Sequence, residues 1–350
     1  MINNIHNNDE TSSCVLYNIP ATSSSVPATS VSTPTAAYDR PITLLDATST
    51  HAPALDVDTI RIIEQELVYT GTSLYELMKR AGRALAQYII QHASSITTQE
   101  THPTRITIMC GNGNNGGDGW VAGYILAHHG MDVHIISAIQ PNTISAQPAH
   151  DIVQDCLNCS SQAGCTIHID PSEEELAQLI SSSGIIIDAI LGTGFNGADI
   201  RAPFNTWISC INTSKSPHTL VISADIPSGM NAQTGGVCMP CVKAHTTITM
   251  IANKKGLLTP YAFAFAGDVY IAKLADIASF MNKITPNNDT LRTTSHTPQP
   301  SAKAKSTPQT GKPRSQSAFL RAENEDDDGY DPYSDRRPEP EPLFNKDPWA

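Results

Sequence analysis

From about residue 58 to residue 274 the chain switches between two hydrophobic rhythms, helical spacing and short unbroken apolar runs. A first helix is predicted over 58–68 and broken at 69–72. Leu74, Leu77, Met78, Ala81, Leu85, Tyr88 and Ile89 then recur at three- and four-residue spacing, predicting a helix with one buried face. Ser73 and Glu76 form an S-x-x-E capping box at its start. Apolar runs at 106–110, 133–137, 165–169, 184–190, 220–224, 245–251 and 268–274 predict strands. Helical stretches at 121–128, at 149–159, from the Ser172–Glu175 box to about 181, and at 203–211 fall between them. The run 184–190, GIIIDAI, lacks an apolar–polar alternation, as a strand covered on both faces requires. The β–α alternation predicts a doubly wound, mostly parallel sheet in a Rossmann-like three-layer αβα sandwich.

Outside this region the rhythm stops. Residues 1–52 are rich in Ser, Thr, Asn, Ala and Pro and are predicted to be disordered, with regular structure starting near Asp56. The folded domain is expected over 53–282. Residues 283–350 hold ten of the 24 prolines, with a basic stretch at 303–321 before an acidic one at 323–335. That composition cannot bury a core, and it reads as a solvated tail or a charged docking segment.

Composition narrows the function classes. With 22 basic against 34 acidic residues, nucleic acid is not the expected partner. No run reaches the ~20 apolar residues needed to cross a bilayer. The first 20 residues contain no Lys or Arg and no continuous apolar core. A standard secretory signal is therefore not expected, a mitochondrial presequence is disfavoured, and the cytoplasm is the expected compartment. Two CxxC pairs, Cys156/Cys159 and Cys238/Cys241, lie far apart, so free thiols are expected before a zinc site.

Three stretches carry the candidate chemistry, each at the carboxyl end of a predicted strand: GNGNNGGDG, DAILGTGFNG and ADIPSG. Open α/β sheets bind ligands outside those ends. Gly111, Gly113 and Gly116 satisfy the dinucleotide fingerprint, and a turn is predicted over 111–119 before the helix. A dehydrogenase would also carry an acid after the next strand to hold the ribose. That strand runs into Ala138, Ile139 and Gln140, and Asp118 would repel a diphosphate resting against it. Asn114 and Asn115 add carbonyl oxygens, so the loop reads as a mixed site: N–H donors for phosphate, oxygens for a hard cation or polar ring. A plain βα turn capped by asparagine is the bland alternative. Asp118, Asp188 and Asp225 are expected to share one pocket.

Taken together, SLYELMKRAGRALA, CGNGNNGGDG, IDAILGTG and ADIPSG followed by Gly235 resemble the NAD(P)H-hydrate epimerase family. In its bacterial fused form this family is the N-terminal half of a bifunctional hydrate-repair enzyme. The resemblance covers roughly residues 58–280. It implies that Asn114, Asn115, Gly116, Gly117 and Asp118 contact hydrated NADH or NADPH, with Gly192, Thr193, Gly194, Phe195, Asn196, Gly197, Ala198 and Asp225 completing the substrate site. It also implies one potassium ion per subunit on Asn115, Asp188 and Ser228. The second loop departs most from the family pattern, in its length and at Asn196. A homodimer is expected. The tail is too short and too polar for the ATP- or ADP-dependent dehydratase half, so a separate dehydratase is expected to consume the product.

The residues suit that chemistry on their own terms. Inverting a hydroxyl on a ring carbon beside nitrogen requires either acid-assisted loss of the hydroxyl or opening of the ring. Both need a carboxyl group that exchanges a proton and a means to stabilise transient charge. Asp225 is the expected acid/base. An inactive relative acting as a scaffold, as in RNA decapping assemblies, is the alternative, with a nicotinamide-dependent dehydrogenase behind it.

Overall fold

The computed structural model describes residues 41–48, 54–96, 104–160, 165–197 and 199–284. The two predicted tails therefore lie largely outside the described residues. Seven predicted strands are present: β2 (Arg105–Cys110), β3 (Asp132–Ser137), β4 (Cys165–Ile169), β5 (Ile185–Ala189), β6 (Leu220–Ala224), β7 (Thr246–Met250) and β8 (Asp268–Ala272). They pair in parallel, and β1 (Leu44–Asp46) joins β8 antiparallel at the edge, giving the order β1-β8-β7-β6-β5-β2-β3-β4. This confirms the doubly wound sheet.

β1 corrects the expectation of disorder through residue 52. Its three residues carry too little pattern to declare a strand, and the signal is long-range. Gln87 clamps Ile42 with reciprocal bonds of 2.8 Å to its backbone N–H and C=O. Leu45 then aligns with Ile271.

Side-chain parity sorts the core into two layers. Ile106, Ile108, Ile185, Ile187 and Ile222 face α1 (Val57–Tyr69), α2 (Leu74–Ile96), α3 (Asn114–His128) and α4 (Ala149–Ser160). Met109, Ile136, Ile186, Ile190 and Val221 face α5 (Glu173–Ser181) and α6 (Phe204–Ser214). Burial of this order, about 25 cal/mol per Å² of apolar surface, supplies most of the drive to fold. Two short helices, α7 (Phe263–Ala266) and α8 (Ala278–Ile284), and two 3-10 turns, Pro141–Thr143 and Lys255–Leu258, complete the described elements. No helix among the described residues is long and apolar enough to cross a membrane.

The capping boxes differ. Around Ser172 both reciprocal bonds are made. At Ser73 the hydroxyl accepts from the Glu76 N–H at 3.2 Å, but the Glu76 carboxylate pairs with Lys79 at 2.9 Å.

The topology fixes where a ligand can sit. β2 runs through α3 to β3 on one side, while β5 runs through α6 to β6 on the other. The strand order reverses between β2 and β5, and the crevice at their carboxyl ends is the natural site.

Candidate active site

The chain leaves β2 at Gly111 and passes directly across the end of β5. The Gly111 N–H donates to the Ala189 carbonyl at 2.9 Å, and a Cβ there would lie 1.9 Å from the Ile190 oxygen. α3 begins soon after, at Asn114, so the turn expected through 119 is already helix. Glycine is a poor helix former, and packing overrides propensity here. Cβ atoms at 116, 117 and 119 would meet the Gly111 oxygen at 1.9 Å, the Met78 sulfur at 2.5 Å and the Ala189 Cβ at 2.8 Å. The helix lies flush on the sheet because it has nothing to hold it off. Its N-cap, Gly113, offers no side-chain cap, so the first-turn N–H groups have no side-chain acceptor there.

This helix end forms one wall of a groove of about 170 Å³. Asn114, Asn115 and Asp118 face Gly192, Thr193 and Gly194 across it, and Asp225 lines it with Met250 and Ile251. Leu74, Leu77 and Met78 of α2 make it partly apolar, and Arg61 and Glu64 of α1 stand at its margin. The enclosed volume is below the ~300–1,000 Å³ typical of small-molecule sites. A dinucleotide would therefore be enclosed at one end only. Buried polar atoms Asn112 Oδ1, Asn114 Oδ1 and Asn115 Nδ2 have no hydrogen-bond partner. Native proteins rarely leave such groups unsatisfied, so these atoms are available to a water, an ion or a polar ligand group.

The other predicted residues are placed differently. Gly116 and Gly117 do not line the groove, and what they supply is close approach of the backbone. Phe195 is buried in the apolar cluster with Trp207 of α6. Asn196 and Gly197 are exposed outside the groove, and Ala198 lies outside the described residues. The expectation that three aspartates share one pocket is corrected for Asp188. It has the parity of Ile186 and Ile190, so it points to the α5–α6 side of the sheet, and it does not line the groove.

There Asp188 is fully buried within a ring of donors. Oδ2 accepts from Ser223 Oγ at 2.8 Å and from the Ser228 N–H at 2.9 Å. Oδ1 accepts from Ser228 Oγ at 2.5 Å and from the Ile190 N–H at 3.4 Å. Ser228 Oγ also accepts from the Leu191 N–H at 2.8 Å, tying the second loop to the ADIPSG turn. Burial pushes the Asp188 carboxyl above its ordinary value of 3.8, and the bonds from Ser228, Ser223 and Ile190 pull back less strongly. Among the described residues no cationic side chain pairs with it.

Asp188 and Ser228 touch each other, and the donors that they and Asn115 offer are of the kind a monovalent cation takes. The donor set is oxygen with one formal charge, the carboxylate lacks a countercharge, and Asn115 keeps an unpartnered amide atom whose O/N assignment is interchangeable. Turning the Ser228 hydroxyl proton to the Leu191 carbonyl, 3.3 Å away, would free Oδ1 for it.

Asp225 is buried too, but within reach of the groove. Its Oδ1 accepts from the Met250 N–H at 3.0 Å, from Thr249 Oγ1 at 3.3 Å and from Lys254 Nζ. Lys254 is 1 % exposed and also donates to the Met250 carbonyl at 2.8 Å. Asp225 and Ile251 hold φ of 62° and 66°, a left-handed backbone that aspartate tolerates and a β-branched isoleucine disfavours. Lys254 was not among the expected site residues. It follows β7 in a KKG stretch, and nothing local says which lysine goes inside.

Comparison with known proteins follows the same outline. A family model described as YjeF-related protein N-terminus matches residues 74–256. The bifunctional NAD(P)H-hydrate repair enzyme Nnr of Coxiella burnetii is 34% identical over 225 residues, which are 64% of this chain and 42% of that protein. The protein of the same name from Salinibacter ruber is 29% identical over 235 residues, 65% of this chain and 42% of that one. The chain thus spans about two fifths of the length of these relatives. The crystal structure of yeast ynu0 superposes with a TM-score of 0.52 at 18% identity, covering 63% of this chain and 87% of that one, and it shows the same fold.

Proposed function

On the premise that this chain belongs to the family of YjeF-related protein N-termini, as its match over residues 74–256 establishes, we propose that it interconverts the R and S epimers of hydrated NADH and NADPH. The observation that carries the reading is the groove at the β2/β5 reversal, where unpartnered asparagine amides and an uncapped helix end face a carboxylate, Asp225, that borders the groove. The bifunctional relatives are named as NAD(P)H-hydrate repair enzymes, and this chain matches about two fifths of their length.

In this reading the α3 N–H groups and Asn114–Asp118 bind the nucleotide, and Gly192–Gly194 close over the hydrated ring. Asp225 exchanges the proton of its hydroxyl. Asn115, Asp188 and Ser228 would hold potassium, which when bound supplies fixed positive charge beneath the second loop and offsets the buried carboxylate. The S epimer passes to a separate dehydratase, and the chain works as a homodimer in the cytoplasm.

The test is direct. Purified full-length protein is added to the R epimer of NADHX, and the S epimer is followed by chromatography with and without potassium. Formation above the uncatalysed rate supports the reading, with a larger rate in potassium. Silence in both conditions overturns it in favour of a binding-only protein.

A further inference from the structure

We propose that Lys254 is a positioning residue that presents Asp225 to the groove as an ionised base, so that epimerisation proceeds by opening the ring rather than by losing the hydroxyl. This rests on the epimerase reading above.

The two oxygens of Asp225 are treated unequally. Every hydrogen bond of its carboxylate among the described residues falls on Oδ1: the Lys254 ammonium, the Met250 N–H and the Thr249 hydroxyl. Oδ2 accepts none of them, while the residue lines the groove. Lys254 itself does not line the groove and meets it through its contact with Asp225, which does. Its backbone is pinned: the Leu55 N–H donates to the Asn253 carbonyl at 2.8 Å and the Lys255 N–H to the Leu55 carbonyl at 3.0 Å.

A buried ion pair is a poor way to gain stability, because apolar residues of the same volume would pack there at lower desolvation cost. A pair retained beside a groove, with one carboxylate oxygen spared, has the form of a device that fixes charge and direction.

A carboxylate clamped in this way begins the reaction without a proton. Its open oxygen takes the proton of the substrate's ring-carbon hydroxyl. The oxygen's electron pair forms a carbonyl as the carbon–nitrogen bond breaks, and the displaced pair moves onto the ring nitrogen, where conjugation with the adjoining alkene and carboxamide spreads it. Rotation of the aldehyde exposes its other face. The nitrogen then re-forms the bond, and the proton returns from Asp225 to oxygen. Nothing is oxidised or reduced, and no atom is gained or lost. Loss of the hydroxyl would instead need an acid at that position, where the structure places a carboxylate already committed to a lysine.

The experiment uses the full chain in saturating potassium with R-NADHX in water labelled with oxygen-18. The S product is read by mass spectrometry against a control without enzyme. Ring opening predicts that it keeps its original oxygen. Label above the control overturns the route. In parallel, Lys254→Met is expected to lower kcat by about 100-fold or more while KM stays within about threefold. Lys254→Arg restores part of kcat, and Lys254→Ala is partly rescued by ethylammonium, which a purely structural lysine would not allow. If Lys254→Met fails to fold, Lys254→Arg and the amine rescue decide. A kcat in Lys254→Met within about threefold of the unaltered chain overturns the assignment of Lys254, as does failure of both Arg and amine to restore turnover in folded protein. An inactive unaltered chain overturns the epimerase reading and this inference with it. An active one with an indifferent Lys254→Met overturns this inference alone.

Discussion

Asp188 and Asp225 stand at neighbouring strand ends of one sheet, both buried, and the protein accommodates them in opposite ways. Around Asp188 it supplies neutral donors only: the hydroxyls of Ser223 and Ser228 and the N–H groups of Ser228 and Ile190. Around Asp225 it supplies a lysine and leaves one oxygen open. The first arrangement ties the second loop, through Leu191, to the ADIPSG turn and leaves a buried carboxyl with no cationic side chain beside it among the described residues. The second matches its charge and borders the groove. Burial alone does not identify a catalytic group. What separates the two is the source of the compensating charge and whether an oxygen is spare.

Removing the groove-side member of this contrast should have the largest effect. Asp225→Asn is expected to lower kcat for epimerisation by about 100-fold or more, measured by chromatography on folded protein. An effect within about threefold would deny Asp225 its role.

Asp188→Ala attacks the other end and should appear first as lost stability. It strands four buried donors, and about 3 kcal/mol of unfolding free energy should disappear in urea titration. A change below about 0.5 kcal/mol would mean that the ring of donors does not hold the loops together.

Potassium sharpens the comparison further. At about 100 times its dissociation constant it should stabilise the native state by ~2.7 kcal/mol, read as a rise in Tm, with sodium weaker. The gain should survive in Asp225→Asn and vanish in Asp188→Ala. Its persistence in Asp188→Ala would place the cation elsewhere.

The smallest effect comes from a third polar cluster, remote from both carboxylates. His134 Nδ1 meets His168 Nε2 at 2.9 Å, and Asp132 reaches both His134 and Arg105. Burial lowers both histidines from 6.5, with Asp132 opposing at His134 and Glu175 opposing at His168. Below 6.5 the unfolded chain binds protons that the folded one resists, so stability should fall as pH drops through that value and level off once the folded histidines charge. Urea unfolding between pH 8 and about 5 tests this. A double His→Gln variant should flatten the curve, and an unchanged slope would refute it.

Much of this was legible in the sequence because it was local. The strands, the Ser172 cap and the three loops announce themselves by period and by glycine. The parity that sends Asp188 away from the groove is also written in GIIIDAI, where Ile186 and Ile190 share its face. What escaped depends on contacts distant in sequence. β1 is three residues held by Gln87 and β8, and Lys254 goes inside only because Asp225 waits there. The start of α3 escaped for another reason: a glycine-rich stretch prefers a turn unless a sheet lies close enough to favour the missing side chains. Phe195 reads as a ligand contact in its loop, yet its ring is claimed by α6.

The flush seating of α3 also bears on how damage to this protein should be interpreted. At Gly116 and Gly119 an added methyl group would collide with the Gly111 oxygen or the Ala189 side chain and lever the helix outward, dragging Asn114 and Asn115 with it. A mutational scan would score these glycines as intolerant, like true contact residues. Their phenotype would be architectural, a misplaced wall with every reacting group still present.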